Sequence, residues 1–276
     1  MSSLSETRRS RPFPRTLLRA PSDNARARIF CFPYSGVGAS MFNQWSPFLD
    51  DVEVCPVQLP ARENRMREQH FGSYEALAEE VADSLTPFLD RPFVFFGHCA
   101  GALPAFETAL RLDQLGAPTP RRLFVSAQVA PHDCPHDRFL DCTEDELKAE
   151  LTALMAARGG QPHPMMVDLT LGVLRQDLEA NRIYRRGGPV RIPSGITVLH
   201  WSDDPEVTAE QLQGWDRYSV DVAFTVLNGG HYDFLSAPPA LLRTLCDSLG
   251  PDPTPTSMPP REQGDAEPGL GVDDTP

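Results

Sequence analysis

The sequence has six cysteines but no Cys-x-x-Cys pair. That spacing marks zinc ribbons and dithiol redox sites, so neither is expected. A basic excess is also missing. Lys plus Arg number 25 against 38 Asp plus Glu, for a net charge of -13. Such a balance argues against bulk nucleic-acid binding, which needs a basic footprint. No apolar run approaches the length of a membrane-spanning helix. No apolar stretch follows the basic residues near the N-terminus, so no secretory signal is expected. The thiols are therefore expected to stay reduced, in a cytoplasmic protein. No internal repeat is present.

What is present suits one α/β domain with an insertion: 276 residues, 41% of them hydrophobic. Residues 1–24 are rich in Arg and Ser and read as a flexible leader. Residues 251–276, rich in Pro, Gly, Asp and Glu, read as a disordered acidic tail, because they carry too little apolar surface to fold. Between these ends, 25–250 alternates short apolar runs with helical patterns. Strands are expected at 28–32, 52–57, 93–96, 122–126, 196–200 and 222–227. Helices are expected at 74–89, 102–115 and 239–249. This alternation predicts a mostly parallel, doubly wound sheet. The stretch 131–189 breaks the rhythm. It holds two helical patterns, 143–157 and 166–184, and no strand, which predicts an all-helical lid inserted between two strands.

The most informative segment runs from Phe93 to Ala102. A buried strand leads into Gly97-His98-Cys99-Ala100-Gly101, and a helix follows. This is the Gly-x-nucleophile-x-Gly elbow with Cys in the place usually held by Ser. The small residues flanking the nucleophile let strand and helix approach closely. The Ala100 amide opens the helix and is placed to donate to an oxyanion. A thiol beside a helix N-terminus is expected to have a lowered pKa. The bland alternative is a Gly-bounded turn around a buried structural Cys.

An elbow of this type needs an acid and then a histidine further along the chain. Asp203 and Asp204 follow the strand ending at His200, and Asp204 is the preferred acid with Asp203 as its competitor. Gly229-Gly230-His231 follows the last strand, making His231 the base for Cys99. The loop Tyr34-Ser35-Gly36-Val37-Gly38 after the first strand is expected to supply a second oxyanion amide, with Ser35 preferred over Tyr34. His98 is given no catalytic role. The chemistry these residues imply is acyl transfer through a covalent acyl-cysteine.

At this level of detail the chain resembles the type II thioesterases of nonribosomal peptide and polyketide synthesis, which are stand-alone α/β-hydrolases. The resemblance spans roughly residues 26 to 248. It rests on Cys31-Phe32-Pro33, Phe42, Trp45, Val57-Gln58-Leu59-Pro60, Arg62-Glu63, Phe96-Gly97-His98, Gly101-Ala102, Phe106-Glu107, Leu123-Phe124-Val125-Ser126, Asp204-Pro205, Trp215 and Gly229-Gly230-His231. It implies an α/β-hydrolase fold and the triad Cys99, Asp204 and His231. Arg175-Gln176-Asp177 is similar to a lid motif of that family. The implied reaction is hydrolysis of acyl or aminoacyl thioesters from the phosphopantetheine arm of carrier proteins. The substrate brings that arm, so no resident cofactor is expected. The partners implied are acyl or peptidyl carrier domains, with no nucleic acid and no membrane. Two departures stand out: Cys99 replaces the family serine, and Tyr34-Ser35-Gly36-Val37 replaces a His-Ala-Gly-Gly loop.

The cysteine keeps a second reading open. A thioester passed to a thiol remains a thioester, so the chain could shuttle acyl groups between carriers instead of releasing them. A third reading is an inactive hydrolase-fold binding protein. Arg62, Arg65 and Arg67 form one basic cluster, and Arg182, Arg185 and Arg186 another. Arg62, Arg65, Arg185 and Arg186 are the expected contacts for a carrier or its phosphate; the bland alternative is solvated surface arginine. His132-x-Cys134-x-His136 carries metal-ligand residue types, but without further ligands at zinc spacing it reads as a lid loop, and no metal is expected.

Overall fold

The computed structural model describes residues 14–157 and 161–250. The tail expected at 251–276 and the first part of the expected leader lie outside the described residues.

A seven-stranded sheet forms the centre, in the order β2-β3-β1-β4-β5-β6-β7. The strands are β1 (Ala27–Phe32), β2 (Phe48–Leu49), β3 (Val52–Pro56), β4 (Phe93–His98), β5 (Arg122–Ser126), β6 (Gly195–Trp201) and β7 (Val222–Leu227). All neighbours pair in parallel except β2, which runs antiparallel to β3. With only Phe48 and Leu49, β2 is too short to leave a periodic signal in sequence.

Both faces of the central strands are buried, as parallel sheets require, while the edge strand β7 is largely exposed. In β1, Phe30 and Phe32 point to one face, and Ile29 and Cys31 to the other. Phe93 and Phe95 of β4 share the first face, and Val94 and Phe96 the second. The first is covered by α1 (Tyr74–Leu85) and α2 (Ala102–Gln114), through Leu77, Val81, Leu103 and Phe106. The second is covered by α5 (Pro239–Asp247), through Leu241 and Leu245. Each such fully buried side chain contributes about 2 kcal/mol.

Ser73 caps α1, its hydroxyl accepting the Ala76 amide at 3.3 Å. The helix expected to reach Leu89 stops at Leu85, because Pro87 turns the chain into a short 3-10 segment, Thr86–Phe88. Residues 14–24, expected to fray, instead pack. Leu17 is buried and bridges to Val57, while the Ser22 amide and the Arg19 guanidinium bond to Glu53 and to the Val54 carbonyl. Leu17 supplies the apolar anchor that makes this ordering favourable.

Between β5 and β6 lie α3 (Glu144–Ala157) and α4 (Pro164–Ile183). Thr143 and Glu146 form a reciprocal capping box at the start of α3. The two helices share a small core of their own: Phe139, Leu147, Leu151, Val167, Leu171, Leu174 and Leu178. Among the described residues, no helix is long and apolar enough to cross a membrane.

Candidate active site

The loops after β1, β4, β6 and β7 converge at the carboxyl ends of the strands, where the strand order reverses between β1 and β4. Cys99 leads the β4 loop with φ of +49°, a strained value for a non-glycine residue. The flanking glycines explain how the strain is held. A Cβ on Gly97 would lie 2.5 Å from the Ala102 Cα, and one on Gly101 would lie 2.6 Å from the carbonyl oxygens of Phe32 and Pro33. The elbow is thus pressed against both the following helix and β1.

His231 donates or accepts through Nδ1 at 2.9 Å from the Asp204 Oδ2, and both side chains are buried. The other Asp204 oxygen accepts the amides of Glu206 and Val207 at 2.7 and 3.3 Å. Burial penalises the Asp204 charge, but His231 and these amides outweigh it and hold its pKa below the usual value. Asp203 is exposed and bonds to Ser202 and Gly229. The acid that meets His231 is therefore Asp204. A donor atom from each of Cys99, Glu206 and His231 lies within 4.8 Å of the other two. This Cys, His and Glu set could also hold a metal ion. The pattern His132-x-Cys134-x-His136 forms no such convergence among the described residues: His132 bonds Tyr218, and Cys134 bonds the Ala130 carbonyl.

The Cys99 thiol has its pKa raised, not lowered. Burial is the main cause, Asp137 and Glu206 add to it, and the Ala100 amide hydrogen bond only partly opposes them. Helix position alone predicts the opposite, because the carboxylates around the sulfur come from distant chain segments. Cys99 rests as a thiol and needs a base.

His98 is fully buried and carries out a positioning task. Its Nδ1 is 2.9 Å from the Ser126 hydroxyl, which also accepts the Trp201 indole at 2.9 Å. Its ring meets His231 edge-on at 4.6 Å and stacks on Phe234 at 3.9 Å. Burial, with help from His231, lowers its pKa, so His98 is neutral beside His231.

In the β1 loop, the Ser35 hydroxyl donates to Asp137 at 3.4 Å. The next amide, of Gly36, donates to Asp177 of α4 at 2.7 Å and is thereby occupied. Asp177 also accepts two bonds from Arg62, at 2.7 and 2.8 Å, and lies 2.7 Å from His70 Nε2. Burial disfavours its charge, yet these partners lower its pKa.

Three of the four arginines expected to contact a partner are engaged within the chain. Arg62 is spent on Asp177. Arg65 is buried against Glu68, Glu80 and the Gln58 carbonyl. Arg186 pairs with buried Glu107, which also accepts the Tyr184 hydroxyl at 2.5 Å. Arg62 and Arg186 are claimed by carboxylates distant in sequence, and Arg65 by groups 3 to 15 residues away. Arg185 is exposed and bonds only backbone carbonyls, of Arg182 and Tyr184. The sequence reading missed Glu206 and Asp137. Glu206 stands two residues beyond the acid, and Asp137 lies in the insertion; spacing alone carries no signal for either.

A strained elbow, a buried Asp-His pair and a parallel sheet with a helical insertion define an α/β-hydrolase. The chain belongs to the thioesterase family: the family model described as "Thioesterase domain" matches residues 27–249. It is 33% identical over 84% of its length to a probable cadicidin biosynthesis thioesterase of Streptomyces griseus, and it spans 65% of that relative. It is 31% identical to the gramicidin S biosynthesis protein GrsT of Aneurinibacillus migulanus, covering 82% of this chain and 90% of that one. Among solved structures it matches RedJ, a thioesterase of the prodiginine pathway in Streptomyces coelicolor. That match has a TM-score of 0.70 and 33% identity, covering 84% of this chain and 95% of the other.

Proposed function

We propose that the chain is a type II thioesterase of natural-product biosynthesis, hydrolysing acyl or aminoacyl thioesters from the phosphopantetheine arm of carrier domains. The observation that carries this reading is the Asp204–His231 pair at 2.9 Å beside an elbow cysteine. The biosynthetic names of the relatives support the pathway class.

In this reading His231 takes the Cys99 proton at Nε2 while Asp204 stabilises the imidazolium. The sulfur attacks the thioester carbonyl carbon, and the amides of Ala100 and Ser35 hold the oxyanion. The bond from that carbon to the pantetheine sulfur breaks, and His231 returns the proton to the departing thiol. Water then gives a proton to His231 and attacks the acyl-cysteine. The acid leaves and the Cys99 thiol is restored.

Cys99 itself favours a second reading, transfer of the acyl group to another carrier thiol. Thioester-to-thioester exchange is close to balanced and readily reversed. Incubation of acyl-carrier with enzyme and an empty second carrier separates the two. Free acid as the main product supports hydrolysis; label on the second carrier ahead of acid overturns it. Cys99→Ala should lower either activity by about a thousandfold or more. Retained turnover would refute the nucleophile, whereas failure of a thiol-reactive probe to label Cys99 would favour a binding protein.

A further inference from the structure

The wall around the Cys99 sulfur is crowded with hydrogen-bond acceptors. Glu206 Oε2 lies 3.3 Å from His231 Nε2, yet no aligned hydrogen bond joins them, and Nε2 is buried without a partner among the described residues. His231 is 3% exposed. With its Nδ1 proton on Asp204, its Nε2 presents a lone pair. Two acceptors therefore face each other across the site.

The same excess of acceptors extends to the insertion. Asp137, half-buried, takes the Ser35 hydroxyl at 3.4 Å on its Oδ2 and the Phe139 amide at 2.9 Å on its Oδ1. Asn181 of α4 donates its side-chain amide to the carbonyl of His136, the residue before Asp137. Its Oδ1 is buried and unpartnered among the described residues. The cation in this wall is Arg138, which holds the other Glu206 oxygen at 3.0 Å and shares itself with Glu150, also at 3.0 Å. Arg138 thus fixes the Glu206 carboxylate while leaving Oε2 turned toward His231.

We propose that Glu206 and Asp137 form a subsite for the free α-ammonium group of an aminoacyl thioester, making the preferred substrate an aminoacyl, not a simple acyl, group. The inference rests on the thioesterase reading above and names the substrate class of that same site. Once an aminoacyl group is on Cys99, its ammonium nitrogen is three bonds from Sγ. Glu206 has an oxygen within 4.8 Å of that sulfur, so the nitrogen falls within hydrogen-bond reach of it. An ammonium brings three donors and a positive charge. It matches the Glu206 oxygen that Arg138 leaves turned into the site. A substrate with hydrogen or an amide in that position leaves buried acceptors unpaired, which polar sites discriminate against strongly. Glu206 and Asp137 are specificity residues in this proposal and take no part in the bond-breaking steps.

The test compares S-alanyl, S-propionyl and S-(N-acetylalanyl) pantetheine, each enzymatic kcat/KM divided by its uncatalysed hydrolysis rate. The alanyl thioester is expected to exceed the other two by at least about tenfold. In Glu206→Gln and in Asp137→Asn that ratio should fall to within about threefold, which is the loss of a charge-assisted bond. Equal ratios in the wild type overturn the proposal. So does a ratio unchanged in both variants with all rates reduced together, since that pattern marks a merely structural role. If the wild type forms no acyl-enzyme from any of the three, the thioesterase reading fails and takes this one with it. If propionyl is turned over as well as alanyl, only the ammonium subsite fails.

Discussion

Arg62 and Asp177 meet through two parallel hydrogen bonds, 2.7 and 2.8 Å long, one to each carboxylate oxygen. They come from chain segments 115 residues apart. Arg62 follows β3, and Asp177 sits mid-way along α4 of the insertion. Because Asp177 also holds the Gly36 amide, the pair ties the insertion to the loop carrying Ser35. One buried ion pair thus links the insertion, the segment after β3 and the loop after β1.

Breaking that pair should be costly. Asp177→Ala leaves a buried guanidinium without its counter-charge, for a loss of about 3–5 kcal/mol. Arg62→Met should lose a similar amount. The double variant is expected to lose clearly less than the sum, because neither charge is then stranded. Urea denaturation of the four proteins measures this, and simple additivity would count against the coupling.

The elbow glycines make a steric prediction. Gly101→Ala places a methyl 2.6 Å from two carbonyl oxygens. It should destabilise the fold by about 1–3 kcal/mol and depress thioester turnover by displacing Cys99. Gly187→Ala, with nothing within 4 Å of the added Cβ, should leave thermal stability close to wild type. Equal melting temperatures for the two variants would contradict the close packing.

The raised pKa of Cys99 sets a pH dependence. A thiol whose pKa lies above the ordinary cysteine range gains thiolate throughout the neutral and mildly alkaline region. Alkylation of Cys99 by iodoacetamide, followed by peptide mass spectrometry, should therefore keep rising from pH 7 to beyond pH 9, since the starting value for a cysteine is 9.0 and the shift is upward. A plateau reached below about pH 8 would indicate a preformed thiolate instead.

Among the four arginines first considered for partner contact, Arg185 is the one left exposed without a carboxylate partner in the described hydrogen bonds and ion pairs. Arg185→Glu should raise KM for a carrier-bound thioester by about three- to tenfold and leave a free pantetheine thioester unaffected. Added salt should narrow the difference between wild type and variant. Equal effects on both substrates would assign Arg185 no part in docking.

The sequence by itself determined the parallel sheet, because apolar runs bounded by turns and alternating with amphipathic helices have few other ways to bury their surface. It also determined the elbow, since Gly97 and Gly101 around Cys99 are local requirements of backbone packing. His231 could be placed from its position after the last strand. Between Asp203 and Asp204 the sequence offered two adjacent carboxylates, and only the folded β6 loop turned one of them to His231. Tertiary structure alone decided the electrostatics. It desolvated the half-buried Cys99 thiol and set Asp137 and Glu206 to act on it, which reversed the pKa shift expected from the helix terminus. It also spent Arg62 and Arg186 on carboxylates from remote segments. Spacing along the chain registers residue type and local geometry, whereas the partners of a charge are set by whichever distant elements the core brings together. For that reason the elbow around Cys99 was legible from the start, and the acceptor-lined wall around it was not.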